Sequence, residues 1–435
     1  MSSTRSEAKS VQIAAAVIGN ALEWYDFIVF GFFTAIISRL FFPSQSQYAA
    51  LLLATATFGV GFFMRPVGGI LLGIFADRKG RKAALLLIVT LMTAAIALIA
   101  FAPTYSAIGV AAPLIIVVAR LLQGFATGGE FASATVFLIE SAPAGRRGLY
   151  GSWQMVGQCL AALLGALIGA LITRTLPQAA LDSWGWRVPF LFGLAIGPVG
   201  LLIRFYVRET EPFLESRAAG KPLRIGASLA AHYREALVSM GLVVAGTIQF
   251  YVVLLYMPTF AGTELHLPLE QAFLAQAIGL ACAILVTPFS GAFSDHVGRK
   301  PVLITSAALY LALTYPFFSW LHGDPSIRKL LIMQVTLCTL LGLGMGPFST
   351  AVAEQFPARV RSTGVAIAYN FAVMLFGGFA QFFVTWLIQA TGSAIAPALY
   401  VMFGAACGLV AALFLKDGAY EVNLPAGARL NAAPN

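Results

Sequence analysis

Long apolar runs, separated by short polar connections, make up almost the whole chain. Each run has about 20 residues or more, the length that an α-helix needs to cross a hydrocarbon core of roughly 30 Å. Helices are predicted rather than barrel strands, because the runs are too long for tilted strands and backbone groups in lipid must bond within their own segment. The twelve runs fall near 12–38, 48–75, 83–102, 108–140, 148–174, 187–207, 236–261, 271–294, 301–321, 328–355, 362–390 and 396–415.

The composition agrees with a chain that lies in lipid. Of its 435 residues, 59% are hydrophobic and only 10% are charged, and the mean hydropathy is +0.85. An ordinary soluble domain, in which about a quarter of the residues are charged, is excluded. The first run is too long for a cleavable signal peptide and carries Glu23 and Asp26, so we expect it to remain as the first helix. The predicted fold is an all-α membrane protein with twelve transmembrane helices.

The basic residues are unevenly distributed among the connections. The N-terminus, the even-numbered connections and the C-terminal tail carry about twenty of the 27 basic residues. The opposite loops carry Arg39, Arg174, Arg187, Arg328 and Lys329. Because positively charged loops stay inside the cell, both termini are predicted to face the cytoplasm. The net charge of +9 then reflects topology, and no nucleic-acid partner is expected.

Two sequence motifs occur twice along the chain. The stretch from Gly73 to Lys82 returns 218 residues later, and the stretch from Glu140 to Arg147 returns 214 residues later. Internal duplication is common in secondary transporters, so two pseudo-symmetric copies of one six-helix bundle are predicted. The predicted division is an N-terminal bundle at 1–207, a cytoplasmic linker at 208–234, and a C-terminal bundle with a short cytoplasmic tail at 235–435.

Four ionisable residues lie well inside predicted spans, namely Glu23 and Asp26 in the first helix and Arg120 and Glu130 in the fourth. Arg65 lies in the inner third of the second helix. A charge that faces lipid costs roughly 2.5–3.5 kcal/mol on the insertion scale, so buried and partnered positions are expected. At about 100° per residue, two polar stripes result. One contains Asn20, Glu23 and Asp26, and the other contains Arg120, Gln123, Thr127 and Glu130.

The two stripes predict a proton switch if they face each other across a central cavity. Arg120 would pair with Asp26 or Glu23, and an anionic substrate would compete for the guanidinium and release the acid to take up a proton. All four histidines fall in loops or at helix ends, so carboxylates must carry any proton inside the membrane. A static ion pair that fixes helix packing is the alternative. Glu130 has the further alternative of anchoring its helix, and Arg65 that of a gate or an interfacial side chain.

The second half of the chain has no counterpart of these charges. Gln334 stands at the position that corresponds to Arg120, and Gln276 and Gln381 are also neutral interior residues. We therefore expect coupling in the first half and neutral hydrogen bonding to substrate in the second, with helix–helix hydrogen bonds as the alternative. The predicted substrate-binding residues are Asn20, Tyr25, Arg65, Arg120, Gln123, Gln154, Gln158, Gln249, Tyr256, Tyr369 and Asn370. The predicted proton-coupling residues are Asp26, Glu23, Arg120 and Glu130.

The duplicated motifs predict a latch between the halves. In the first copy, the two glycines permit a tight turn, Asp77 can cap a neighbouring helix N-terminus, and Arg81 can bind cytoplasmic acids. Such a latch would hold the halves together on the inside and break when the carrier opens inward; the alternative is an anchor for topology alone. The latch residues are Gly73, Asp77, Arg78, Gly80, Arg81, Asp295, Arg299, Glu140, Arg147, Glu354 and Arg361.

Small residues also recur four positions apart. Gly124 and Gly128 form one such pair, and Gly342 and Gly346 form another. Spacing of this kind predicts that helix backbones approach each other closely, either for static packing or to let gating helices slide.

The chain lacks the sequence signals of a membrane enzyme. Its cysteines, Cys159, Cys282, Cys338 and Cys407, fall in four different predicted helices, which argues against a disulfide framework and against a metal site. Neither a phosphate-binding glycine loop nor a His/Cys ligand cluster is found, so an ATP-driven pump also lacks support. We expect no enzymatic activity, no cofactor and no metal.

The loop Gly-x3-Asp-Arg-x-Gly-Arg-Lys at 73–82, with its weaker copy at 291–300, resembles the signature loop of the major facilitator superfamily. The motifs at 19–27, 61–68, 120–124, 128–130 and 184–190 resemble the metabolite/proton symporters of that superfamily. That branch imports citrate, tricarballylate, 2-oxoglutarate, shikimate, proline and betaine with protons. The segments 41–46 and 208–214 resemble its citrate and tricarballylate carriers most. His296 and Val297 depart from the loop pattern in the second copy, which puts the second latch in doubt.

The resemblance implies a bacterial inner-membrane carrier that works by alternating access with the proton as coupling ion. Its partners would be a small di- or tricarboxylate, protons and the lipid bilayer, and we expect a monomer. The Arg120 motif and Asp26 also resemble the arginine and the proton-carrying aspartate of sugar/proton symporters. Arg65 and Arg120 would serve a monocarboxylate or a zwitterion as well. Another metabolite of the same branch, or a uniporter or exchanger on the same fold, therefore remains the alternative.

Overall fold

The computed structural model describes residues 2–79, 81–128, 130–195, 232–357 and 360–416, and these residues are almost entirely helical. We number the helices so that each label corresponds to one predicted span. In the first half, α1 comprises Ser2–Phe32 and Thr34–Phe41, α2 is Gln47–Lys79, α3 is Arg81–Ala100, α4 comprises Ala111–Ala126 and Glu130–Glu140, α5 is Arg147–Thr175, and α6 begins at 188 and is described to 195. Short helices at Tyr105–Ile108, Gln178–Ser183 and Gly185–Arg187 connect them.

The second half repeats this arrangement. There, α7 comprises Tyr233–Gln249, the π-helical Phe250–Tyr256 and Met257–Thr263, α8 is Leu269–Val297, α9 is Arg299–Gly323, α10 is Ile327–Glu354, α11 comprises Arg361–Ala372, the π-helical Val373–Gly377 and Ala380–Thr391, and α12 is Ala396–Leu413. The linker predicted at 208–234 and the tail after Lys416 lie mostly outside the described residues, so their bounds stay a prediction.

Most of the predicted spans pass a direct test of length and apolarity. Within the described ranges, nine helices are long and apolar enough to cross a membrane, and α1 adds a tenth if its two parts are counted as one span. The apolar part of α3, Leu86–Ala100, is shorter, and α6 continues into residues that are not described. Side chains such as Ile70 and Phe289 point away from the protein, as lipid-facing residues do.

Several spans are interrupted near their middle. The two parts of α1 meet at Phe33 with a bend of 61°. In α4 the first part ends at Thr127, whose hydroxyl donates back to the carbonyls of Gln123 and Gly124 at 3.1 and 3.3 Å. The π-turn of α7 contacts α1, and the π-turn of α11 contacts α2 of the other half; each also packs against the regular part of the other helix. Such interruptions leave backbone groups free of the regular helical ladder, and they cluster where the two halves meet.

Glycines allow α2 and α4 to touch through their backbones. A β-carbon added at Gly124 would lie 1.6 Å from the carbonyl oxygen of Gly61, and one added at Gly128 would lie 2.0 Å from that of Arg65. In the second half, a β-carbon at Gly346 would lie 2.5 Å from the backbone nitrogen of Gly291. The close approach predicted from small residues four apart is confirmed at these positions.

Candidate functional site

A small central cavity lies where the two halves meet. Helices α1, α2, α4 and α11 all contribute to its wall. Its lining residues are Glu23, Trp24, Phe27, Arg65, Thr127, Phe131, Tyr369 and Asn370. Four of the predicted site residues, Glu23, Arg65, Tyr369 and Asn370, are thus brought together.

Arg65 is held in this cavity by aromatic rings. Its Cζ atom lies 4.3 Å from the ring centroid of Phe62, 4.5 Å from that of Phe27 and 5.4 Å from that of Trp24. The side chain is only 3% exposed, and its Nε atom has no hydrogen-bond partner among the described residues. Ring faces stabilise a guanidinium in place while leaving its N–H groups available to a ligand.

Arg120 lies on the other side of the same aromatic cluster and is fully buried. It donates to Gln123 Oε1 at 2.6 Å and to the carbonyl of Phe58 at 3.4 Å. Its Cζ atom is 4.1 Å from the ring centroid of Phe27, which Arg65 also contacts. Arg120 does not line the central cavity, so in this conformation it is enclosed behind Phe27.

The predicted pairing of Arg120 with Asp26 or Glu23 is absent from this structure. Asp26 faces α6, where a β-carbon added at Gly193 would lie 2.0 Å from its Oδ1 atom. That oxygen is buried and lacks a hydrogen-bond partner among the described residues. Asp26 and Phe27 are adjacent in sequence and therefore about 100° apart on the helix, so the ring and not the carboxylate meets the guanidinium. Here the prediction of a formed ion pair was wrong.

Two cationic side chains are therefore buried near the centre without an ionic partner among the residues that the structure describes. Within the described part of the chain, neither Arg65 nor Arg120 has a carboxylate oxygen within 4.0 Å. Burying a charge without compensation is costly, and such charges usually mark a binding or ion pathway. The arrangement favours an anion in the cavity. The side chain of Glu130 lies outside the described residues, so its role in proton coupling stays a prediction.

Other predicted substrate ligands bind neighbouring helices in this conformation. Asn20 donates to the carbonyl of Gln154 at 3.2 Å, and Gln154 donates back to Asn20 Oδ1 at 3.2 Å. Tyr25 donates to the carbonyl of Pro189 at 3.0 Å, and the Tyr256 hydroxyl pairs with Thr385 at 3.0 Å. In this conformation the polar groups of these residues thus form hydrogen bonds between helices, which was the alternative to substrate binding.

The cavity is completed by two residues of α11. The ring of Tyr369 stacks on Phe131 at 3.6 Å, and its hydroxyl lies close to Arg65 and Gln158. Asn370 donates to the carbonyl of Gly128 at 2.8 Å, where the break in α4 leaves that carbonyl available. The sequence predicted Thr127 from a polar stripe and Tyr369 and Asn370 as neutral interior residues, but it did not predict the aromatic wall of the cavity. The aromatic residues Trp24 and Phe27, which interleave with the acids of α1, were the available signal.

The second copy of the duplicated motif forms a latch between the halves. Asp295 accepts hydrogen bonds from the backbone N–H groups of Gly148 and Leu149 at 2.8 and 2.9 Å, at the first turn of α5. Arg299 bonds Asp295 at 2.8 Å and Glu354 at 3.3 Å. A carboxylate at a helix N-terminus satisfies free N–H groups and meets the positive end of the helix dipole. These contacts are thus present in the second copy despite His296 and Val297, and its role as a gate stays a prediction.

A second pair of contacts joins the halves on the same side, which we call the motif side. Arg361 lies 3.9 Å from Glu140, and the Thr350 hydroxyl donates to the carbonyl of Arg147 at 2.9 Å. The first copy of the latch is not testable here, since Gly80 and the side chains at 73, 77, 78 and 81 lie outside the described residues.

Comparisons with known proteins agree with this architecture. The sequence profile of the Major Facilitator Superfamily matches residues 16–380. The chain belongs to this superfamily. It is 36% identical to a citrate-proton symporter of Klebsiella pneumoniae, over 95% of this chain and 94% of that protein. It is 33% identical to an alpha-ketoglutarate permease of Escherichia coli K12, over 93% of both chains.

A solved structure shows the same fold. The crystal structure of a D-xylose-proton symporter superimposes with a TM-score of 0.73 and covers 93% of this chain and 96% of its own, at 21% sequence identity. The all-α fold of two six-helix bundles is therefore confirmed. As a member of the superfamily, the protein is a multi-pass membrane transporter and not an enzyme.

This transporter is also closed on the side opposite the motifs. The Tyr48 hydroxyl donates to Glu264 at 2.9 Å, and Arg174 lies 3.7 Å from Glu270. Phe273 of α8 packs against aromatic residues of α1. Each of these contacts joins one half to the other. Since contacts between the halves close both membrane sides, the conformation described is an occluded one.

Proposed function

We propose that the protein is a proton-coupled importer of a small carboxylate of the citrate or tricarballylate type, working by alternating access in a bacterial inner membrane. Both termini would face the cytoplasm, and the transporter would act as a monomer. The observation that carries the proposal is the pair of buried guanidinium groups, Arg65 and Arg120, which lie near the central cavity and have no ionic partner among the described residues. The citrate-proton symporters among its relatives support the same substrate class.

The cavity offers suitable groups for one carboxylate at a time. Arg65 supplies charged N–H donors, while Thr127 and Asn370 supply neutral hydrogen bonds beside it. A second carboxylate of the same substrate would reach Arg120 only after Phe27 moves, since that ring lies against both guanidinium groups. Binding of a polyvalent anion would therefore be linked to a rearrangement of α1.

Proton coupling is assigned to the acids of α1. Glu23 lines the same cavity as Arg65, and Asp26 lies one turn further along the helix, buried against α6. An anion bound at Arg65 places a second negative charge close to Glu23, which favours the protonated acid. When the anion and the protons are bound together, the cavity would hold no excess charge, so the two would be taken up together.

The experiment is uptake of radiolabelled citrate into proteoliposomes with an alkaline interior. We expect accumulation that collapses when a protonophore dissipates the pH gradient, and loss of accumulation in Arg65→Gln. Arg39→Gln, at an exposed position whose partner Asp182 lies in the same half, is the matched control and should transport normally. Absence of citrate accumulation by the unmodified protein would reject the substrate class, and accumulation that ignores the protonophore would reject proton coupling.

A zwitterionic substrate is the second candidate. Glu23 and Arg65 place an acid and a base in one aromatic-lined cavity, which suits a betaine or an amino acid, and a proline/betaine transporter of Escherichia coli K12 is 31% identical over 94% of this chain. Uptake of glycine betaine and 2-oxoglutarate in the same proteoliposomes separates these alternatives, and uptake down a gradient without accumulation would indicate a uniporter or exchanger.

A further inference from the structure

A second cavity, of about 60 Å³, lies mainly between α7, α9, α10 and α12 of the C-terminal bundle, and Trp24, Met155 and Gln158 of the first half close one side of it. We call it the C-bundle chamber. Its wall is mainly apolar and includes Val243, Leu303, Ala307, Leu341 and Phe348. The described residues of this wall carry no charge, and they include Gln158, Gln249 and Tyr369, which the sequence predicts as substrate ligands. Protein interiors are normally packed to the density of a crystal, and this space is several times the roughly 10–15 Å³ that one buried water needs.

The chamber adjoins the central cavity. Trp24 and Tyr369 line both spaces, so these two rings form the partition between them. Arg65 contacts that partition from the cavity side, because its Cζ atom lies 5.4 Å from the Trp24 ring and its side chain lies close to the Tyr369 hydroxyl. A molecule whose carboxylate bonds Arg65 therefore has the chamber directly behind the partition.

Two polar groups in the chamber wall lack partners. The Nε2 atom of Gln158 and the hydroxyl of Tyr251 are buried and have no hydrogen-bond partner among the described residues. Both side chains are only 2% exposed. A buried donor without a partner costs free energy that a ligand with a matching acceptor recovers. The chamber thus combines apolar walls with two unused hydrogen-bonding groups.

We infer that the chamber is a second subsite, which binds the apolar body of an amphipathic carboxylate whose charged end lies at Arg65. The inference rests on the proposed carboxylate site and extends it to the rest of the ligand. Carboxylates that carry an aromatic or branched group would bind more tightly than citrate-sized ones, because the group leaves water for an apolar space. The rings of Trp24 and Tyr369 would have to turn to admit it.

The test compares two dicarboxylates that differ by one benzyl group. Dissociation constants of succinate and benzylsuccinate are measured on the purified full-length transporter by isothermal titration calorimetry. We expect benzylsuccinate to bind at least about tenfold more tightly, which is less than full burial of a phenyl ring would give. In Ala307→Leu, which fills the chamber from α9, the ratio of the two constants should fall towards one.

Two further variants keep the test decisive. Ala308→Leu changes the neighbouring residue on the same helix, which is exposed on the outer surface, and should keep the tenfold ratio. Val243→Phe fills the chamber from α7 and should lower the ratio as Ala307→Leu does, so a folding defect in either variant does not decide the outcome.

The possible failures are distinguishable. Equal affinities in the unmodified protein, or a ratio unchanged by both filling variants, would overturn the chamber as a subsite and leave the carboxylate site standing. Failure of both ligands to bind would overturn the chamber as a subsite, and failure of citrate to bind in the same titrations would overturn the proposed substrate class along with it. Phospholipid retained by the unmodified protein in native mass spectrometry and lost in Ala307→Leu would show that an acyl chain occupies the chamber, which also overturns the inference.

Discussion

The carboxylate of Asp295 accepts a 2.8 Å hydrogen bond from the backbone N–H of Gly148. Asp295 lies in the last turn of α8 in the second half, and Gly148 lies in the first turn of α5 in the first half. This bond therefore joins the two repeats on the motif side. Its energy comes from a full negative charge at the positive end of a helix, and this energy depends on the charge as well as on the geometry.

The first prediction concerns that charge. Asp295→Asn keeps the shape of the side chain, removes the charge and replaces one of its two acceptor oxygens by an NH2 group, so the closed state of the motif side should lose at least about 1 kcal/mol. That energy corresponds to roughly a fivefold shift in population. The shift is measured as the rate at which an impermeant maleimide, added on the motif side, labels Thr127→Cys in a background without native cysteines. Asp324→Asn, at an exposed loop acid, should leave the rate unchanged, and an equal rate in Asp295→Asn would contradict the latch.

A second prediction concerns closure of the opposite side. The bond from Tyr48 to Glu264 joins the halves there, and Glu264→Gln replaces a charged acceptor by a neutral one. Labelling of the same reporter cysteine from the opposite side should rise severalfold, while labelling from the motif side should fall. Gln178→Ala, which removes a side chain that bonds Asp182 within the first half, is the matched control on this side. A rise on both sides at once would indicate general loosening rather than a gate.

A third prediction addresses the proton. Asp26→Asn retains size and removes the titrating group, so proton-driven accumulation should be abolished while substrate counterflow survives. Both are measured in the same proteoliposome preparation, with Asp182→Asn on the surface as control. Accumulation that persists in Asp26→Asn would move the coupling role to Glu23, which lines the central cavity.

A fourth prediction concerns Arg120. An ammonium cannot bond Gln123 and the Phe58 carbonyl together while lying flat against aromatic rings, so Arg120→Lys should lower the initial uptake rate at least about tenfold. Arg39→Lys, whose side chain is 43% exposed and pairs within the first half, should transport at the normal rate. Uptake unchanged in Arg120→Lys would show that recognition lies elsewhere.

A fifth prediction tests the backbone contact of α2 and α4. Gly124→Ala places a methyl group 1.6 Å from the Gly61 carbonyl, so the helices must separate, at a cost of about 1–3 kcal/mol. The temperature at which half of the detergent-solubilised protein stays monodisperse should fall by several degrees. Gly323→Ala meets nothing within 4 Å and should melt normally. Equal melting of the two variants would mean that the contact is looser than described.

The sequence predicted the fold well because the membrane imposes a strong rule. A run of about 20 apolar residues has few alternatives to a spanning helix, and a duplicated motif indicates a duplicated bundle. The latch was predictable in kind, since Asp295 occupies the position of Asp77 in the repeat and does cap a neighbouring helix. Its exact partner, the first turn of α5, depends on the way the halves dock and is not encoded in the spacing.

The candidate site was predicted only in part, because helical periodicity gives direction but not neighbours. Asp26 and Glu23 share one stripe, yet Asp26 faces α6 while Glu23 lines the cavity. Gln154 and Gln158 are one turn apart, yet the first bonds Asn20 and the second faces the C-bundle chamber. A stripe that spans about 120° touches more than one neighbouring helix, so its two edges have different environments.

The π-turns of α7 and α11 have a consequence for how these helices can vary in length. A wide turn holds about one residue more than a regular turn, so removing one residue from Phe250–Tyr256 would restore ordinary winding and leave both flanking segments in phase with their surroundings. The same deletion in a continuous helix such as α5 would rotate everything beyond it by about 100°. The π-turns of α7 and α11 are thus two places in the second half where the protein should tolerate deletion of one residue.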